Sequence, residues 1–229
     1  MALERQPTTI LVVSDRVERA LDDVYDPARW TGIDLIISCG DLPGPYLSNL
    51  VSRLNVPLYY VRGNHDTNYD TAPPEGGDDL NNRVVQFRGW RFAGLDGSPQ
   101  YNGGPLQYTD GAMKRRTLSL EPRLWLAGGL DVLVTHAPPA FCEWAYTRCQ
   151  PPVGAGRPCR FNPNRTCIDA DDRAHWGFRS LRDLVQRHHP VYVLHGHCHL
   201  NYARVPRVQV LGSTHVVNAY GHTIVKLGD

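Results

Sequence analysis

Five stretches of this chain place side chains that bind divalent cations just beyond apolar runs. Asp15 follows Thr9-Ile10-Leu11-Val12-Val13, Asp41 follows the run from Ile33 to Ser38, and Asn64 with His65 follows Leu58-Tyr59-Tyr60-Val61. His136 ends Asp131-Val132-Leu133-Val134-Thr135, and His195-Gly196-His197-Cys198-His199 begins where Val191-Tyr192-Val193-Leu194 stops. Carboxylate, carboxamide and imidazole donors together suit Mn, Fe or Zn and need no thiolate. One Asp after a strand is an ordinary turn or cap, and one His is commonly structural. Five such ends, all carrying metal-binding types, call for an ion. Gly40, Gly63 and Gly196 beside them would let backbone and ligand approach closely.

The elements needed to position these groups are legible. The runs at 9–13, 33–38 and 58–61 read as buried strands, and 17–24 and 46–54 between them read as helices. That alternation predicts βαβ units and a parallel sheet, the arrangement in which strand ends share one edge. Residues 66–82 have loop composition, and 83–87 with 90–94 predict a hairpin about Arg88-Gly89. The spacing predicts helices over 110–126, interrupted at Pro122, and over 169–188. It predicts strands at 131–135 and 191–194. The tail from Tyr202 to Leu227 alternates well enough for three or four antiparallel strands that would close a second sheet.

The order Asp15, Gly40-Asp41, Gly63-Asn64-His65-Asp66, His136, Gly196-His197-Cys198-His199 resembles the calcineurin-like metallophosphoesterases over residues 11–199. The resemblance implies one domain over 1–229 of α/β class, a two-sheet β-sandwich flanked by helices, and hydrolysis of phosphate mono- or diesters at a two-metal centre. It implies that Asp41 bridges two divalent ions, Mn, Fe or Zn. Asp15 and His199 would hold the first, and Asn64, His136 and His197 the second. His65 would protonate the leaving oxygen, a task suited to imidazole, which exchanges protons near neutral pH. Asp66 could orient His65 or cap the following turn. Two cations about 3.5 to 4 Å apart neutralise a phosphate ester and lower the pKa of water toward neutrality.

One position departs from the pattern. The family's first motif is Asp-x-His, and here its third residue is Val17. The first ion would then be held weakly by Asp15, Asp41, His199 and water, or be completed by His175 or Glu18. An eroded scaffold that acts in protein interaction is the alternative. Retention of His65 and of every ligand expected for the second ion argues against it. The His195-to-His199 run also resembles the histidine-triad nucleotide hydrolases, a reading that leaves Asp15, Asp41, Asn64 and His136 without a purpose.

Composition narrows the partners. With 24 basic and 23 acidic residues the net charge is +1, so no global field draws the chain to nucleic acid or anionic membrane. The expected partner is a small, nucleotide-like phosphoester. The apolar run at Ile10-Val13 is too short for a signal-peptide core or a membrane span, which predicts a cytoplasmic protein. Residues 141–168 form a Cys-rich loop with Cys142, Cys149, Cys159 and Cys167. Their spacing lacks close pairs, leaving structural zinc, disulfides and unlinked thiols all open. Arg148, Arg157, Arg160 and Arg165 make that loop basic, suiting a lid over an anionic substrate.

Overall fold

The apolar runs become the strands of two sheets packed face to face. The computed structural model describes residues 4–140, 158–159, 162–166, 175, 177–200 and 207–228. Its strands are β1 (Thr8–Ser14), β2 (Leu35–Ser38), β3 (Leu58–Tyr60), β4 (Gly77–Asp79), β5 (Val84–Phe87), β6 (Trp90–Leu95), β7 (Ser98–Pro99), β8 (Gln107–Tyr108), β9 (Val132–Thr135), β10 (Pro158–Cys159), β11 (Asn162–Thr166), β12 (Tyr192–His195), β13 (Val208–Leu211), β14 (Thr214–Asn218) and β15 (Gly221–Leu227). The helices are α1 (Gly44–Leu54), α2 (Asp110–Leu126) and α3 (Arg179–His188). One sheet has the order β15-β1-β2-β3-β4 and the other β13-β14-β12-β9-β6-β5. No helix among the described residues is long and apolar enough to cross a membrane.

Alternation along the strands sorts the core into layers. Ile10 and Val12 of β1 join Leu35, Ile37, Phe92, Val132, Val134, Leu194 and Val217 between the two sheets. Leu11 and Val13 point the other way, onto Leu47 and Leu50 of α1. In the second sheet Leu133 and Val193 face outward onto Leu120 and Leu124 of α2 and Leu181 and Leu184 of α3. Each fully buried Val, Leu or Ile contributes about 1.5 to 3 kcal/mol, so these clusters fix how the strands are stacked. The two-sheet sandwich flanked by helices expected from the sequence is the architecture found.

Local details follow from residue type. Thr109 caps α2 by accepting the Ala112 N–H at 3.2 Å, and α2 runs through Pro122 to Leu126 as one helix. The β5–β6 hairpin turns on Arg88 (φ 48°) and Gly89 (φ 80°), the left-handed pair that a two-residue loop requires.

Further expectations need correction. No α-helix covers 17–24; the segment holds a 3-10 turn at Arg19–Leu21, because only Leu21 is buried, with Ala20 packed beside it, while Val17 and Val24 stay exposed. A further 3-10 turn, Pro27–Trp30, is capped by Asp26 and brings Trp30 into the core. The loop at 66–82 contributes β4, parallel to β3. The tail divides between sheets: β13 pairs antiparallel with β14, β14 lies parallel to β12, and β15 pairs antiparallel with β1. The helix expected from 169 begins at Arg179, and 169–174 lie outside the described residues. The loop expected over 141–168 contains an antiparallel pair, β10 with β11, while its other residues, the side chains of Cys142, Cys149, Cys159 and Cys167, and with them the lid reading, lie outside the described residues.

Candidate metal centre

Parallel pairing brings the chemistry to one edge. β1, β2 and β3 are parallel neighbours, so Asp15, Asp41 and Asn64 leave their strands on the same side. β9 and β12 are parallel neighbours in the second sheet and deliver His136 and His197. The two edges meet. His136 Nε2 lies 3.3 Å from Asp41 Oδ2, and ligand atoms of Asp41, His136 and His197 all fall within 4.8 Å of one another.

The backbone at this junction is held in a costly conformation. Asp15, Asp41 and His197 have φ of 63°, 57° and 64°. The left-handed region costs an ordinary L-residue roughly 1 to 2 kcal/mol, and such outliers gather at functional sites. Three amide contacts hold these turns. Asp15 N–H donates to Gly40 O at 3.1 Å, Asp41 N–H to Asp66 Oδ2 at 2.7 Å, and His197 N–H to both Asp15 carboxylate oxygens at 3.0 Å. Asp66 Oδ2 also takes the Gly63 N–H at 2.8 Å, so its carboxylate staples the Asp41 turn to the Gly63 turn. Burial pushes that carboxyl up to about 6.

Glycine is required where the turns touch. A Cβ on Gly63 would fall on the Asp41 carboxylate and 2.7 Å from His136 Cε1, and one on Gly196 would meet Ser14 Oγ and lie 2.5 Å from Asp15 Oδ2. Gly40, at φ 93°, packs directly on the Gly63 backbone.

The donor set fits a divalent cation. Asn64 Oδ1 and His136 Nε2 are buried with no hydrogen-bond partner among the described residues, a condition that costs about 1 to 3 kcal/mol per group unless something is bound there. Both atoms are oriented from behind: His136 Nδ1 sits 2.7 Å from Cys39 O, and Asn64 Nδ2 donates to Tyr101 Oη at 3.2 Å. Outer contacts of this kind aim metal-binding groups. The site also favours positive charge. Burial alone would lower the His136 pKa, but Asp41 and Asp15 raise it to about 9. Burial raises the Asp15 carboxyl, yet His199 and His136 bring it below the usual carboxylate range.

The remaining residues group around this point. His199 Nε2 is 3.7 Å from Asp15 Oδ1, and its ring stacks 4.8 Å from Tyr220. His65 donates its backbone N–H to Asp41 Oδ1 at 2.8 Å, while its ring stands 72% exposed with Nε2 4.0 Å from Asp41 Oδ2. Arg62 turns to Asp70 at 2.7 Å. His195 is buried, with Nδ1 2.9 Å from Gly196 O. Asp66, whose role the sequence left open, and Tyr101 both lie in stretches of ordinary turn composition. Tyr220 was not anticipated, and no local sequence signal marks it.

A family model described as calcineurin-like phosphoesterase matches residues 9–201. The chain belongs to the calcineurin-like phosphoesterases. Most proteins of this family are metal-dependent phosphoesterases that hold two divalent ions, which agrees with the Asp41, His136 and His197 cluster as a candidate cation site. Membership also sets aside the histidine-triad reading of 195–199. Among curated proteins none matches the chain. Solved structures share the fold of this chain at low identity. One crystal structure has a TM-score of 0.60 at 14% identity, covering 96% of this chain and 95% of its own. That of TT1561 of Thermus thermophilus has a TM-score of 0.57 at 19% identity, covering 94% and 90% respectively.

Proposed function

We propose that this chain hydrolyses a small, nucleotide-like phosphate ester with two divalent cations, Mn, Fe or Zn. Asp41 would serve both, Asp15 and His199 would hold one, and Asn64, His136 and His197 would hold the other. When bound, the cations would supply positive charge to offset the phosphate and a lowered pKa for water. The protein's own part is positioning and proton transfer. Cys39 O and Tyr101 fix the directions of His136 and Asn64, and Asp66 keeps Asp41 in register with Gly63. His65, exposed beside Asp41, delivers the proton to the departing oxygen.

The observation that carries this reading is the pair of buried atoms without a hydrogen bond among the described residues, Asn64 Oδ1 and His136 Nε2, the latter facing the Asp41 carboxylate at the junction of the two sheets. The test is metal analysis of the purified chain together with hydrolysis of bis-p-nitrophenyl phosphate in Mn, Fe and Zn. Activity lost in both Asp41→Asn and His65→Ala supports the enzyme. A chain inert with every metal supports the alternative, an interaction scaffold, for which Val17 in place of the motif imidazole is the favouring feature.

A further inference from the structure

The shell of the first cation is short of one imidazole, because Val17 offers only an isopropyl group where the family motif has a histidine. Glu18, one of two residues able to replace it, is engaged elsewhere. Its carboxylate pairs with Arg16 at 2.9 Å, faces His222 at 4.0 Å and lies against Gly221. His175 is the other.

Its ring centroid stands 5.0 Å from that of His197 and 6.1 Å from that of His199. An imidazole nitrogen binds zinc at about 2.0 to 2.1 Å, so two rings on one ion have centroids roughly 4.5 to 6.5 Å apart. The His199 spacing falls in that range, and the His197 spacing sets the same ring beside the neighbouring shell.

The position of His175 is set by neighbouring backbone. Its carbonyl accepts from Cys198 Sγ at 3.4 Å. Just downstream, Phe178 N–H donates to Pro138 O at 3.0 Å and Ala140 N–H to Phe178 O at 2.9 Å. A Cβ on Gly177 would strike the Pro139 carbonyl, so this strip lies flat against the chain leaving His136. His175 thus lies beside the His197-Cys198-His199 turn. The second cation already has Asp41, Asn64, His136 and His197, whereas the first has Asp15, Asp41 and His199.

We propose that His175 supplies the imidazole that Val17 lacks and completes four protein ligands around the first cation. The inference rests on the two-cation reading above. The experiment is calorimetric titration of the full chain with Mn²⁺, with pulsed electron paramagnetic resonance to count nitrogen couplings at the ion. The unaltered chain should take two equivalents. His175→Ala should weaken one of them by at least about tenfold and remove one nitrogen coupling, as Asp15→Asn weakens the same equivalent. His175→Ala combined with Val17→His should restore both readouts, which excludes collapse of the fold as the cause. Two equivalents of unchanged affinity in His175→Ala would overturn the proposal and leave the two-cation reading standing. Weakening that matches Asn64→Ala instead would assign His175 to the second ion and overturn it as well. A chain that takes up no Mn²⁺ fails the two-cation reading itself, and the role of His175 falls with it.

Discussion

Asp66 Oδ2 lies 2.7 Å from the backbone nitrogen of Asp41 and is buried behind it. The residue after the exposed His65 therefore acts on the turn that aims Asp41 rather than on the imidazole beside it. Asp66→Ala would leave the Asp41 and Gly63 N–H groups without their acceptor, a loss of about 2 to 6 kcal/mol at 1 to 3 per buried group. Asp66→Asn retains an oxygen acceptor and should lose less. Urea unfolding of the three proteins checks the order, and equal stabilities would contradict the stapling role.

His65→Ala should retain cation binding, because the ring is exposed and its described tie to Asp41 runs through the backbone N–H. Its effect belongs to the leaving group. Removal of a general acid lowers rate by about 10² to 10⁴. The loss should be larger for an alkyl phosphodiester, whose alkoxide needs a proton, than for a p-nitrophenyl ester. Equal losses on both substrates would remove His65 from that role.

Gly63→Ala places a methyl group on the Asp41 carboxylate and against His136. Overpacking costs about 1 to 3 kcal/mol and here would also spread the cation ligands. Both melting temperature and Mn²⁺ uptake should fall. Gly111→Ala is the control, since its Cβ would meet only Thr109 Oγ1 at 4.0 Å near the start of α2. That change should stabilise by roughly 0.5 to 1 kcal/mol.

Cation removal should lower stability in the same assay. A ligand at 100 times its Kd stabilises the folded chain by about 2.7 kcal/mol, roughly 5 to 10 °C in Tm for a chain of this size. Differential scanning calorimetry with and without chelator gives the shift. No shift would mean that the ion is not bound at the working concentration.

Far from the site, Asp131 ties Arg91 to the strand edge, taking its Nε at 2.8 Å, its Nη2 at 2.9 Å and its backbone N–H at 2.9 Å. Burial raises the Asp131 carboxyl, but Arg91 outweighs it and holds the group below the usual range. A carboxyl lowered on folding stabilises above its unfolded value, near 3.9, and that contribution is lost as pH falls through the folded value. The stability gap between the parent and Asp131→Asn should therefore shrink as pH drops from 5 toward 2. A gap constant over that span would place the stabilisation elsewhere.

Much of this site was legible because strand ends advertise themselves. A buried run such as Leu58 to Val61 must stop, and Gly63-Asn64-His65 marks both the stop and the chemistry. Sheet membership of the tail was not legible, since the alternation in Gly221–Leu227 serves a strand beside β1 as well as one beside β14. The left-handed backbone of Asp15, Asp41 and His197 was hidden for a different reason: only glycine announces such a conformation in sequence. Tyr101 and Asp66 became visible only through their distances to Asn64 and Asp41.

The left-handed turns at Asp15 and His197 bear on how such a centre changes over time. Each is fixed through its own backbone amide, that of Asp15 on the Gly40 carbonyl and that of His197 on the Asp15 carboxylate. Val17, by contrast, lies two residues out and partly in solvent. A lineage can exchange the residue at 17 without disturbing how the others are aimed, whereas a change at 40, 63 or 196 moves several at once. Variation is therefore expected to collect at the periphery of the ion shell while its glycine hinges stay fixed.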